Sequence, residues 1–246
     1  MNSEPAQRKL RLERMGTVSY GPMHELQKMR HAEVLAGTED DTLFILEHMP
    51  VITAGKNTGR GHILAADDEL ERRGVEIFDS GRGGDVTFHA PGQIVGYPIV
   101  QLQEGEKDIR KYVCNLEEVL IRTAKDFGVT ASRVDGLRGI WVGNDKLAAI
   151  GVRISRWITM HGFALNVSTD LRGFDLIVPC GLQGRGVTSL EKLLGETPSL
   201  VDVENRLAHH CAEILGRTLE EVVATALPRT YEEVVSAPVV EAAGAV

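Results

Sequence analysis

The chain reads as an α+β protein, an α/β mixed sheet flanked by helices within one domain. Three observations predict this. Short apolar runs of strand length, bounded by Gly, Pro or acidic residues, recur along the chain, as in Thr42 to Met49 (TLFILEHM). Asp108 to Phe127 and Asp202 to Leu215 carry apolar residues at helical spacing. Strands and helices interleave, but several strands follow one another like hairpins, so a doubly wound dinucleotide-binding fold is disfavoured.

In chain order, residues 22–36 predict a helix, with Pro22 suited to its first turn. Thr42 to Met49 predicts a strand ended by Pro50, Asp67 to Arg73 a short polar helix, and Val75 to Phe78 a strand. Val86 to Phe88 and Ile94 to Val100 predict strands joined through a Gly- and Pro-bearing loop. Asp108 to Phe127 is an amphipathic helix whose stripe is Ile109, Tyr112, Val113, Leu116, Leu120 and Phe127. Ile140 to Val142, Leu147 to Ile154 and Phe163 to Val167 are β-rich, and Leu176 to Val178 is a strand-like run leading into Pro179-Cys180-Gly181. Helices are expected at Ser189 to Leu194 and Asp202 to Leu215, and the acidic tail 218–246 as one short helix followed by a flexible end.

With 246 residues, 43% hydrophobic and 25% charged, wholesale disorder is excluded. A net charge of −8 argues against nucleic-acid binding through an overall field. In the tail one base, Arg229, faces five acids, Glu220, Glu221, Glu232, Glu233 and Glu241, so half the net charge lies there. The first twenty residues hold Glu4, Arg8, Lys9, Arg11, Glu13 and Arg14, which leaves no apolar leader. The longest stretch free of charged residues, Val86 to Gln103, contains Pro91 and Pro98 and does not suit a membrane span. Three cysteines do not make a disulfide framework. The expectation is a soluble cytoplasmic protein.

Sixteen of the 26 glycines fall between Gly81 and Gly186, where close backbone approach to a ligand is expected. Gly81-Arg82-Gly83-Gly84 lacks the spacing of a dinucleotide fingerprint, and Gly55 to Gly61 lacks that of a phosphate loop, so each reads as a turn. No Cys-x-x-Cys or His-x-x-x-His spacing occurs, and no metal is expected. Cys211 shares a stripe with Leu207 and Ile214 and reads as core, while Cys114 lies off the stripe of its helix. Cys180 follows Pro179, which ends a ladder, and precedes Gly181, which permits a sharp turn. That pattern suits a nucleophile exposed at a strand end and equally a buried structural thiol; both readings stay open on the pattern alone. A nucleophilic thiol needs a neighbouring cation to favour thiolate. The candidates are His89 and His161 in Gly-rich loops and Lys146, which opens the apolar run LAAIGV; the plain reading of Lys146 is an exposed strand end.

Three stretches then combine: RGGDVTFHAPGQIVGYPIV (Arg82 to Val100), NDKLAAIGVRISRWITMHGFALNV (Asn144 to Val167) and DLIVPCGLQGRGVTSL (Asp175 to Leu190). In this order they resemble the lipoyl(octanoyl) transferase family over roughly residues 15–217, and VITAGKNTG (Val51 to Gly59) suits its early loop. The resemblance implies a fold like that of biotin and lipoate–protein ligases, with a catalytic domain over 1–217. It implies transfer of an octanoyl or lipoyl group from acyl carrier protein to a lysine of lipoyl domains through a cysteine thioester, in lipoate biosynthesis and protein lipoylation. Cys180 matches the acyl-thioester nucleophile and Lys146 the lysine that lowers its pKa. Arg82, Gly83, Gly84, Asp85, Val86, Thr87, Phe88 and His89 match the first substrate segment. Ala149, Ile150 and Gly151 match the second, and Gly162, Phe163 and Ala164 the third. Ala90 stands where the family has glycine, and Met160 where it has threonine. No cofactor is implied, since the donor acyl group rides on the phosphopantetheine of acyl carrier protein. The implied acceptors are the lipoyl domains of 2-oxoacid dehydrogenase complexes and the glycine cleavage H protein. An ATP-dependent lipoate–protein ligase and a non-catalytic acyl-binding module are the alternatives.

Overall fold

The computed structural model describes residues 8–58, 62–178, 184–224 and 227. Its elements in chain order are β1 (Lys9–Val18), α1 (Tyr20–Ala36), β2 (Asp41–His48), β3 (Val51–Ala54), α2 (Asp67–Arg72), β4 (Glu76–Asp79), β5 (Thr87–His89) and β6 (Gln93–Ile99). They continue with α3 (Ile109–Asp126), β7 (Ser132–Val134), β8 (Leu137–Val142), β9 (Asp145–Ser155), β10 (Ile158–Asn166), β11 (Gly186–Val187), α4 (Leu190–Leu194), α5 (Leu200–Ile214) and β12 (Thr218–Val222). Among the described residues the main sheet has nine strands in the order β12-β1-β2-β6-β10-β9-β8-β7, with β11 paired to β9. A three-stranded sheet, β4-β3-β5, lies beside it. Parallel pairs (β1 with β2 and β12) and antiparallel pairs (β2-β6-β10-β9-β8) coexist, the mixed sheet that the sequence predicts.

Helix placement follows from local chemistry. The Asp108 carboxylate accepts from the Arg110 and Lys111 N–H groups and caps α3, and Ser199 caps α5 through the Asp202 N–H. The apolar stripe of α3 (Tyr112, Leu116, Leu120) packs with Leu207 and Cys211 of α5 against Leu10, Leu43 and Ile94 of the sheet. Burial pushes the Cys211 thiol well above its ordinary pKa, as its core reading requires. A second cluster (Met23, Phe44, Val95, Tyr97) lies under α1, and a third (Ile52, Phe88, Leu176) under the small sheet.

Several expectations need correction. The helix expected at the start of the acidic tail is strand β12, paired in parallel with β1 from Lys9↔Thr218 to Glu13↔Val222. Thr and Val favour extended backbone, and the free edge of β1 supplies the ladder. Leu176–Val178 is not a strand: Leu171–Leu176 forms a 3-10 turn, and Ile177 makes only a single bridge to Ile63. Strand β1 was hidden by its charges, although Leu10 and Leu12 alternate into the core. Ile109, on the predicted stripe, is exposed at the first turn of α3.

Candidate active site

A two-residue turn joins β9 to β10, with Arg156 (φ 51°) and Trp157 (φ 62°) both left-handed, as a type I′ hairpin requires. The register it fixes sets Gly151 opposite Gly162 and Ala149 opposite Ala164. The intervening pair, Ile150 and Phe163, packs into the main core. Two adjacent rungs of small side chains therefore lower the other face of the sheet and leave room above it. A Cβ on Gly162 would sit 2.1 Å from the Gly96 carbonyl oxygen, so glycine is required there by contact, and one on Gly151 would press on Arg82 Cδ at 3.0 Å.

Above this floor runs the loop that begins at Gly81. The Gly83 N–H donates to the Val152 carbonyl at 3.0 Å, and the Lys56 and Asn57 N–H groups donate to Arg82 O and Gly84 O at 3.0 and 3.1 Å. The Arg82 guanidinium is buried and donates to Thr53 O (2.8 Å), Thr53 Oγ1 (3.1 Å) and Gly83 O (3.1 Å). No carboxylate pairs with it among the described residues. Burial lowers its pKa, opposed by Tyr20, Tyr97 and Asp85. Asp85 lies 2.6 Å from His62 Nδ1. Burial alone would raise its carboxyl, but the His62 imidazole and the Val86 N–H hold it below the usual carboxylate range.

Loop and floor enclose a cavity of about 360 Å³. Arg82 to Thr87, His89, Ala149 to Gly151 and Gly162 to Ala164 line it, together with Lys146. The structure thus gathers all three expected segments and the expected lysine, with one exception. Strand alternation turns the Phe88 ring away from the cavity, onto Phe174 (centroids 5.7 Å apart) and over Gly173. Lys146 stands opposite Trp141 of β8, its Nζ 4.8 Å from the indole centre, and the Arg185 guanidinium lies 5.1 Å from the same ring. Lys146 is also the register partner of Val187 in β11, and its carbonyl accepts from the Thr188 N–H at 3.0 Å.

Cys180 lies outside the described residues. On one side of it the Val178 N–H donates to the His62 carbonyl at 2.8 Å, and on the other Asn144 Nδ2 donates to Gly184 O at 2.7 Å. The chain therefore leaves from beside Asp85's partner and returns to the strand that carries Lys146.

One group of site residues escapes sequence reasoning: Tyr20, His48 and Tyr97 join His89 and His161 in a buried aromatic network. His89 and His161, expected in loops, belong to β5 and β10. His48 Nδ1 donates to Val18 O at 3.0 Å, so its Nε2 accepts from the Tyr97 hydroxyl at 2.8 Å. His89 contacts Gln93 Oε1 at 2.6 Å and stacks on Tyr20. His161 has left-handed backbone (φ 59°), its N–H donates to Gln27 Oε1 at 2.9 Å, and its ring stacks on His24. Burial is the chief cause that lowers their pKa values, to about 4 for His48 and about 3 for His89 and His161. All three are neutral at pH 7. Their spacing in the sequence (48, 89, 161) gives no hint of proximity.

A pH dependence of stability follows. Below about pH 6.5 the unfolded chain protonates these histidines and the folded one does not, so stability falls with decreasing pH down to about pH 4. Each group contributes a slope of about 1.4 kcal/mol per pH unit. Urea unfolding between pH 7 and pH 4 checks this, and a flat profile would contradict it.

Residues 20–212 match the lipoyl protein ligase A/B catalytic domain. The chain is 46% identical over 207 residues to an octanoyltransferase of Caldicellulosiruptor bescii, covering 83% of this chain and 91% of the relative. It is 49% identical over 203 residues to an octanoyltransferase of Solibacter usitatus, covering 82% and 91%. Among solved structures, the bipartite lipoate protein ligase of Thermoplasma acidophilum superposes with a TM-score of 0.68 at 16% identity, over 89% of this chain and 88% of that one. A lipoate-protein ligase A bound with ATP gives 0.67 at 15% identity, over 89% and 90%. The structural likenesses establish the fold, and the match over residues 20–212 together with the 46–49% identical relatives shows that the chain belongs to the lipoyl protein ligase A/B catalytic domain family.

Proposed function

We propose that this protein is an octanoyltransferase, moving an octanoyl or lipoyl group from acyl carrier protein to a lysine amine of a lipoyl domain through a thioester on Cys180. One observation carries the reading: Lys146 lines the same cavity as the three small-residue and loop segments. The identity of 46–49% to octanoyltransferases supports it.

The chemistry follows from the groups present. A Cys180 thiolate stabilised by the Lys146 ammonium attacks the acyl carbonyl, and the carbonyl π electrons move onto oxygen. Backbone N–H groups near Gly181 are candidates to stabilise that oxyanion, a contribution of order 10²–10³ in rate per donor. Collapse expels the phosphopantetheine thiolate, which takes a proton from Lys146. The amine of the acceptor lysine then attacks the new thioester, neutral Lys146 accepts its proton, and Cys180 leaves as thiolate. One thioester replaces another at little cost, and the amide is downhill, so the donor needs no cofactor to activate it. Apolar walls suit an alkyl chain, since each buried methylene contributes about 0.8 kcal/mol.

The partners in this reading, octanoyl acyl carrier protein and the lipoyl domains of 2-oxoacid dehydrogenase complexes and glycine cleavage H protein, are acidic. A basic docking face could draw on Arg8, Lys9, Arg11, Arg14, Lys107, Arg110, Lys111, Arg153 and Arg156, but most of these are already paired: Arg8 with Asp41, Lys9 with Glu220, Arg14 with Glu204 and Lys107 with Glu104. Arg11 pairs with Glu39. Arg110 and Lys111 on α3 and Arg153 and Arg156 at the end of the β9–β10 hairpin take part in no ion pair among the described residues and are the better candidates. Among those residues no helix is long and apolar enough to cross a membrane; cytoplasmic placement belongs to the same proposal.

Intact mass after incubation with octanoyl acyl carrier protein tests the scheme. The expected result is one added octanoyl group, absent in Cys180→Ser and discharged by a lipoyl domain. A Cys180→Ser protein that kept full transfer with ATP and free octanoate would overturn it in favour of an adenylating ligase, and absence of any adduct would favour a binding module.

A further inference from the structure

Away from the cavity, α5 presents His209, His210 and Glu213 with one ligand atom each, all within 4.8 Å of one another. His209 Nε2 and His210 Nδ1 lie 4.0 and 3.7 Å from the same oxygen, Glu213 Oε2. Two of the three groups are already oriented by a neighbour outside the cluster. Asp126 of α3 sits 2.9 Å from His210 Nε2, which fixes the N–H there and leaves Nδ1 with its lone pair. That Nδ1 is buried without a hydrogen-bond partner among the described residues. Glu213 is divided in the same way: Oε1 accepts from Arg122 at 2.9 Å, and Oε2 turns toward the two imidazoles.

A carboxylate that holds the far nitrogen of an imidazole is the usual support for a metal-ligating histidine. Bonds of about 2.0–2.1 Å in tetrahedral geometry place ligand atoms roughly 3.4 Å apart, so the observed separations need only small side-chain rotations to close on an ion. We propose that His209, His210 and Glu213 form a Zn²⁺ site with water in the fourth position. Its two-imidazole, one-carboxylate donor set suits a borderline transition metal rather than Ca²⁺ or Mg²⁺. Through the Asp126–His210 contact, the ion would tie the last turn of α5 to the end of α3. The pattern His-His-x-x-Glu lacks the spacings by which zinc sites are read from sequence, which is why no metal was expected there.

The test is calorimetric titration of chelator-treated full-length protein with ZnCl₂, alongside MgCl₂ and CaCl₂. One zinc should bind with a dissociation constant in the micromolar range or tighter, raise the melting temperature, and show nitrogen and oxygen but no sulfur ligands by X-ray absorption. His209→Ala and Glu213→Gln alter exposed side chains; each should weaken zinc binding at least tenfold while octanoyl transfer stays unchanged. Absence of saturable binding up to millimolar zinc, equal binding by His209→Ala, or sulfur in the coordination sphere would each overturn the site.

Discussion

Lys146→Met should lower octanoyl transfer by about 10²–10⁴-fold, the range associated with loss of a positioned acid and base. Methionine keeps an unbranched stem of similar length beside Trp141, so strand β9 should fold as before. In the proposed mechanism, what disappears is the ammonium that favours the Cys180 thiolate and the proton it exchanges with the departing thiol and the incoming amine. Both half-reactions should slow, which single-turnover loading of Cys180 and its discharge by a lipoyl domain measure separately. Lys146→Arg distinguishes charge from proton exchange: a guanidinium can stabilise the thiolate but cannot be deprotonated, so loading should recover more than discharge. Unchanged rates in Lys146→Met would remove Lys146 from the mechanism.

Arg217→Met should cost about 3–5 kcal/mol of folding stability, the range for removing one partner of a buried ion pair. Arg217 follows α5, and its Nε lies 2.9 Å from Asp41 Oδ2, with both side chains almost wholly buried. The same guanidinium also reaches Glu106 at 2.5 Å and donates to the carbonyls of Gln101 (3.1 Å) and Leu215. Arg8 and the Gln101 N–H, each 2.9 Å from Asp41 Oδ1, hold the other carboxylate oxygen. Removing Arg217 leaves a carboxylate inside the protein with only part of its compensation. Urea unfolding of the single variant and of Arg217→Met/Asp41→Asn checks the cause, because neutralising Asp41 should restore part of the loss. A single variant as stable as the parent would show that the pair contributes little.

The fold was legible where apolar periodicity is unbroken, as in α3, α5, β2, β6, β9 and β10. It was hidden where charge serves a buried purpose. Strand β1 interleaves Leu10 and Leu12 with Arg11 and Glu13, and Glu13 is itself buried against Arg30 at 2.8 Å, so only two apolar residues mark its core face amid charge. The three segments that line the cavity were legible as linear runs, because Gly151 and Gly162 or Ala149 and Ala164 lie within stretches whose resemblance to the transferase family is continuous. The histidine and tyrosine network was not, since it draws single residues from α1, β2, β5, β6 and β10. Lys146 illustrates the middle case: an exposed strand end and a lysine that lines a cavity look alike in sequence, and only the fold separates them.

The pairing of β12 with β1 bears on how a shortened protein would behave. A chain stopped at Arg217, where the sequence alone suggests a boundary, would leave the outermost row of amide and carbonyl groups on β1 without partners. Such a row is a template for another polypeptide, and neighbouring molecules could supply the missing ladder. Thr218–Val222 cover that row and put in its place a shorter edge that carries Glu220 and Glu221.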